Sequence, residues 1–257
     1  MRNYFVFLGK EIMELLRTKK LLGIGCIFLF FAFTSPLLAR YMAEFLALLV
    51  PADEMLGFLI PDPNWMDSYA QFYSNLVQIG SLTILLLFMG TITSEKSRGT
   101  KELVLTKGFS HTGFVLSKFT VIAGTVLITS LVSTGIVFIY TNVLFDTAGN
   151  FADVFLGALV YALFAITVVA LTILASALAK TSVVAAMIGM LGFFGIFILS
   201  SIHRLGDYLP GNLSGRAVEI TSGYYHAHLV GNIIVALVFI TACLALSILT
   251  LKKQEGA

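Results

Sequence analysis

The sequence predicts an all-α, polytopic membrane protein: six transmembrane helices behind an N-terminal amphipathic helix, with both termini in the cytoplasm. Three observations lead there. Hydrophobic residues make up 58% of the 257 residues and charged residues only 12%, about half the roughly 25% charged share of soluble domains. Six apolar runs each approach or exceed the ~20 residues a helix needs to cross the hydrocarbon. The basic residues, finally, gather in alternate loops, as they do where those loops face the cytoplasm.

Residues 1–20 form the first unit, an interface helix. Phe5, Leu8, Ile12, Leu15 and Leu16 recur at helical spacing while Lys10, Glu14 and Arg17 take another face. Such a helix is too polar to span and suits the headgroup layer. Residues 21–257 form the membrane domain, with spans at about 21–39, 76–94, 119–143, 153–178, 182–202 and 229–251. Backbone groups in lipid pair within their own segment, so helices are the expected form. The runs lack the alternation of a membrane barrel. Pro51, Asp53 and Glu54 interrupt the apolar stretch 45–60, which reads as an interfacial helix-turn outside the membrane.

Orientation follows from charge. The N-terminal segment, the loop 95–118, Lys180 and the C-terminal Lys252 and Lys253 hold 13 of the 16 basic residues, leaving Arg40, Arg204 and Arg216 opposite. Nine of the fourteen acidic residues fall on that opposite side. The expected extracytoplasmic loops are 40–75, 144–152 and 203–228. Pro61, Pro63, Trp65, Tyr69, Phe72 and Tyr73 suggest a folded cap on the first of them. Cys26 and Cys243 lie inside apolar runs and read as small buried hydrophobes rather than a disulfide pair.

Within the spans, Asn75, Gln78, Thr125, Thr129 and Ser133 either line a conduit or hydrogen-bond helix to helix. Gly189, Gly192 and Gly195 suit close helix packing, and no ionisable residue sits at the centre of a span, which argues against an ion-coupled carrier. His203, His226 and His228 near the outer surface form a weak candidate metal set, and a membrane-embedded enzyme using them is the alternative function class. A non-transporting sensory or scaffold protein is a third. Nucleic acid is not an expected partner.

The most informative segment is the loop 95–118. Glu95-Lys96-x-Arg98-Gly99-Thr100-x-Glu102-Leu103, then Leu105-Thr106 and Lys118 ahead of span three, resembles the signature of ABC-2 type ABC transporter permeases. Lys10-Glu11-x-x-Glu14-Leu15-Leu16-Arg17-x-Lys19-Lys20 is similar to that family's opening. Gly108 departs from it, since many relatives carry proline there. The resemblance implies a permease that pairs with a second permease chain, identical or homologous, and with a separate ATPase subunit. The chain has no GxxxxGK[ST] phosphate loop, so it is expected to bind no cofactor itself, ATP and Mg belonging to the partner. By the same resemblance Glu95, Arg98, Gly99, Thr100, Lys101, Glu102, Leu103 and Leu105 would dock on the ATPase as a coupling helix. Lys10, Glu11, Glu14 and Arg17 would belong to the interface helix. The expected product is a multi-pass exporter subunit of a bacterial cytoplasmic membrane, moving a hydrophobic or amphipathic solute such as an antibiotic or antimicrobial peptide.

Overall fold

A computed structural model describes residues 2–49, 63–97, 110–202 and 206–254. Among them the chain is helical throughout its regular structure, and six helices are long and apolar enough to cross a membrane: Lys20–Met42, Trp65–Ser97, His111–Phe145, Phe151–Leu178, Ser182–Ser200 and Leu229–Lys253.

Helix α1 (Arg2–Arg17) buries Phe7, Glu11 and Leu15 at spacings of four and leaves Phe5, Ile12 and Leu16 exposed. It is thus amphipathic twice over, with one ridge against the bundle and an exposed apolar flank beside it. A turn with Lys19 in the left-handed region (φ 56°) leads into α2 (Lys20–Leu49). Ile24, Phe28, Phe31, Ala32 and Ser35 make its inward stripe. The second span is compound: α3 (Trp65–Asn75), a π-helical turn (Leu76–Gly80), α4 (Ser81–Phe88), a non-helical break at 89–92 and the short α5 (Thr93–Ser97). Then come α6 (His111–Phe145), α7 (Phe151–Leu178) and α8 (Ser182–Ser200). Two 3₁₀ turns, Gly206–Tyr208 and Pro210–Asn212, precede α9 (Leu213–Thr221) and α10 (Leu229–Lys253).

Helix α7 is the axis of the bundle. Its most apolar window is 72% buried, against 22% for α8 and 28% for α10, and it packs on α6, α8, α9 and α10. Helix α2 packs instead on α6 and α3, and the exposed faces of the spans are apolar, as a lipid surround allows.

Four boundaries differ from the sequence expectation. Residues 65–75, expected in a loop, are helix: the Asn64 N–H bonds Asp67 Oδ2 at 2.8 Å, and Ser68, Tyr69, Phe72 and Tyr73 form a buried stripe. Hydropathy misses this because the buried face is aromatic and the exposed one polar. Glu95 and Lys118, expected in the loop 95–118, both sit on helices, α5 running to Ser97 and α6 starting at His111. The start of α6 is set by Ser110, whose Oγ accepts from Gly113 N at 3.1 Å. The loop 203–228 contains α9, which buries Leu213, Ala217 and Ile220. Residues 40–49, expected outside the first span, continue α2 to Leu49, and the rest of the stretch 45–60 lies outside the described residues.

The connection between α6 and α7 is tight. Gly149 takes φ +79°, and a Cβ there would stand 2.6 Å from the Trp65 ring, so glycine is required twice over. Tyr69 OH donates to Ala148 O at 2.9 Å, tying α3 over the same turn. At the opposite end of the bundle, Lys96 Nζ donates to Ala177 O, and Gln254 Nε2 reaches the same carbonyl at 3.4 Å. Helix α1 also lies at that end, so both chain termini share it.

Candidate functional site

Six charged side chains from four elements converge at the end of the bundle that holds the termini. On α1, Lys10, Glu11 and Glu14 share a ridge because positions three and four apart lie on one helix face. That ridge meets Glu95 of α5 and Lys118 of α6. Lys118 is only 1% exposed and Glu11 and Glu95 are both 7% exposed.

The geometry is that of a shared ion cluster. Lys118 Nζ donates to Glu11 Oε1 at 2.9 Å, Glu11 Oε2 at 3.0 Å and Glu95 Oε1 at 3.0 Å. Lys10 Nζ donates to Glu95 Oε1 at 2.6 Å and Glu11 Oε1 at 2.9 Å, and lies 3.1 Å from Glu14 Oε2. Lys20 stands near Glu14 with its ammonium over the Phe88 ring. An ammonium has three protons to donate, and Lys118 finds three acceptor oxygens. Burial alone would pull the Lys10 ammonium down, but the hydrogen bonds and charges of Glu95 and Glu11 outweigh it and raise its pKa. Burial would push Glu14 up, yet Lys10, Lys118 and Lys20 bring it below its ordinary value.

Carboxylate oxygens of Glu11, Glu14 and Glu95 lie within 4.8 Å of one another, a spacing that a divalent cation could bridge. The ammonium groups of Lys10 and Lys118 already sit on those oxygens, so the cluster is balanced by lysine rather than built for a metal. Apolar packing fixes its floor, with Phe7 and Phe114 rings 5.9 Å apart and Lys118 Nζ 5.1 Å from the Phe114 centroid.

Helix α5 is held separately from the helix before it. The break at 89–92 removes helical acceptors from the N–H groups of Ile92 and Thr93, and Ser176 Oγ of α7 accepts both, at 3.0 and 3.1 Å. Thr93 Oγ1 donates in turn to Ser176 O at 3.0 Å. A five-residue helix therefore stands on its own footing, clamped to α7 on one side and to the ion cluster on the other.

The sequence-expected residues fall into four groups. Lys10, Glu11, Glu14 and Glu95 are brought together, while Arg17 is exposed at the end of α1. Glu95, expected to face a partner, is instead buried and paired with Lys10 and Lys118, because helix α5 turns it inward. Arg98, Gly99, Thr100, Lys101, Glu102, Leu103 and Leu105 lie outside the described residues. The expected conduit residues are not gathered around one cavity. Asn75 Nδ2 bonds Ser35 Oγ at 3.1 Å and Gln78 Nε2 bonds Ser74 Oγ at 3.2 Å. Thr125, Thr129 and Ser133 donate to the Val121, Thr125 and Ser130 carbonyls of their own helix.

His203 is outside the described residues; His226 and His228 rings lie 5.4 Å apart, and His226 Nδ1 accepts from His228 N at 3.4 Å. Among the described residues no third ligand joins them. Sequence reasoning missed the inward roles of Lys118 and Ser176. The available signal was Lys118 as the one ionisable residue between Phe114 and Val126.

Comparison with known proteins adds one match. A family model described as an ABC-2 family transporter protein matches residues 44–249. No curated protein matches the chain.

Proposed function

This chain belongs to the ABC-2 transporter family and is a permease subunit of an ABC transporter, and we propose that it serves an ATP-driven exporter of hydrophobic or amphipathic solutes. In this reading a separate ATPase subunit binds ATP and Mg and docks under residues 98–107, with Leu103 and Leu105 as apolar anchors and Arg98, Lys101 and Glu102 fixing register. A second permease chain completes the pathway. The end of the bundle rich in lysine faces the cytoplasm of a bacterial cell, following the bias of basic residues to that side.

The observation that carries the reading is the family match over residues 44–249, and the ion cluster at the root of the docking segment supports it. Glu95 and Lys118 bracket that segment in sequence and touch each other in space. The helices on either side of it are therefore pinned together on the bundle, as a segment that transmits force requires. Glu95 then acts behind the docking surface rather than on it.

Copurification tests the proposal. Solubilised in mild detergent from its native membrane, the parent chain is expected to carry an ATPase subunit. Leu103→Asp is expected to weaken retention on the order of thirtyfold, the effect of losing about 2 kcal/mol at an interface anchor. Retention equal to the parent would refute docking at this segment.

A further inference from the structure

Resting on the proposed permease–ATPase coupling, we propose that Lys118 is a positioning residue that makes α5, α1 and α6 move as one unit when the docked segment is displaced.

Helix α5 is mounted separately from its span. The break at 89–92 parts it from α4, so its position is set by its own side-chain contacts. The backbone of Ile92 and Thr93 is anchored at that break by Ser176 of α7. The Ser176 contacts stand at one end of α5 as a pivot, Lys96 Nζ adds a second hold on α7 through the Ala177 carbonyl, and the docking segment follows Ser97. A pull on residues 98–107 falls first on α5 and on the side chains that hold it.

Glu95 lies between pivot and pull. Its Oε1 takes hydrogen bonds from Lys118 at 3.0 Å and Lys10 at 2.6 Å. Lys118 holds both oxygens of Glu11 at the same time. One ammonium, 1% exposed, thereby joins three helices through two carboxylates. With Lys118 removed, Glu11 and Glu95 become like charges facing each other across a desolvated gap, which disfavours contact between α1 and α5. Lys10 is the weaker tie because its side chain is 43% exposed and sits at the rim.

Charge and reach both fit this role. Lys118 stands two helical turns into α6, so a displacement received there is delivered to the root of a 35-residue helix. The same displacement reaches α1, whose apolar flank faces the lipid. Two-state motion of packed elements needs such shared contacts, because helices are stiff and interfaces are not continuously deformable.

The test uses the full permease–ATPase complex in nanodiscs, with Cys26 and Cys243 changed to serine. Spin labels go on Met13→Cys of α1 and Lys253→Cys of α10, both exposed positions, and distances are compared without nucleotide and after trapping with ATP and vanadate. Trapping is expected to shift the α1–α10 distance in the parent, to lose that shift in Lys118→Met, and to regain it in Lys118→Arg. A purely structural lysine would lower the melting temperature and leave the shift intact. If Lys118→Met does not assemble, Glu11→Gln keeps the packing and removes one charge, and it too is expected to lose the shift. A shift equal to the parent's in whichever variant assembles overturns the inference, as does a vanadate-trapped parent that shows none. A parent that carries no ATPase contradicts the proposed function instead, and removes the inference with it.

Discussion

Lys118 shows how a charge can be kept inside a chain this apolar. An ammonium taken out of water without partners is far too costly to persist in its charged form. Here each proton meets a carboxylate oxygen, and Lys10 offsets the remaining negative charge. Titration follows from the two groups at the rim. Glu14 has a depressed pKa, so its stabilisation is complete above the ordinary carboxylate value of 4.5 and disappears as pH falls below it. Lys10 has a raised pKa, so its stabilisation is complete below the ordinary lysine value of 10.5 and disappears as pH rises beyond it. The melting temperature in detergent is expected to be level from about pH 5 to about pH 9, with Glu14→Gln flattening the acid limb. A steep change near pH 7 in the parent would mean that these pairs do not govern the end of the bundle.

Among the elements, α7 decides which neighbours approach closely. A Cβ on Gly157 would run into the Thr221 hydroxyl and come within 2.8 Å of the Ala217 carbonyl oxygen. Both obstacles belong to α9, and the carbonyl is backbone that cannot swing aside. Gly157→Ala is therefore expected to destabilise the protein by about 1–3 kcal/mol through overpacking, read as a lower melting temperature. An unchanged or raised value would show that α9 does not sit against α7. These elements also mark what the sequence could reveal. The spans were legible because an uninterrupted apolar run of ~20 residues matches the thickness of the hydrocarbon and suits little else. Their ends were not, because α3 is held by buried Tyr69, Phe72 and Tyr73 and α6 is started by Ser110, and neither signal is hydropathy. Helix α9 was hidden for a similar reason, its apolar positions being few and interleaved with Ser214, Arg216 and Glu219. Glu11 and Lys118 were each visible as charges, but their pairing spans 107 positions and depends on how α1 folds back. No local pattern encodes that.

At the scale of the whole molecule, charge and packing divide the work. The end carrying Lys10, Lys20, Lys96, Lys118, Lys252 and Lys253 also holds both termini and the roots of residues 98–107. Among the described residues the opposite end carries six of the nine acidic side chains and the compact turn around Gly149. In the proposed function this asymmetry puts the input at the basic end, with the bundle around α7 beyond it. Residues 98–107 are the proposed input. Site-specific photocrosslinking in the native membrane tests this, with the crosslinker at Leu103 and a control at Ile198, an exposed apolar position of α8. The expected result is a covalent adduct between position 103 and an ATPase subunit, with none from position 198. Adducts from position 103 to lipid alone, or to no ATPase, would contradict it.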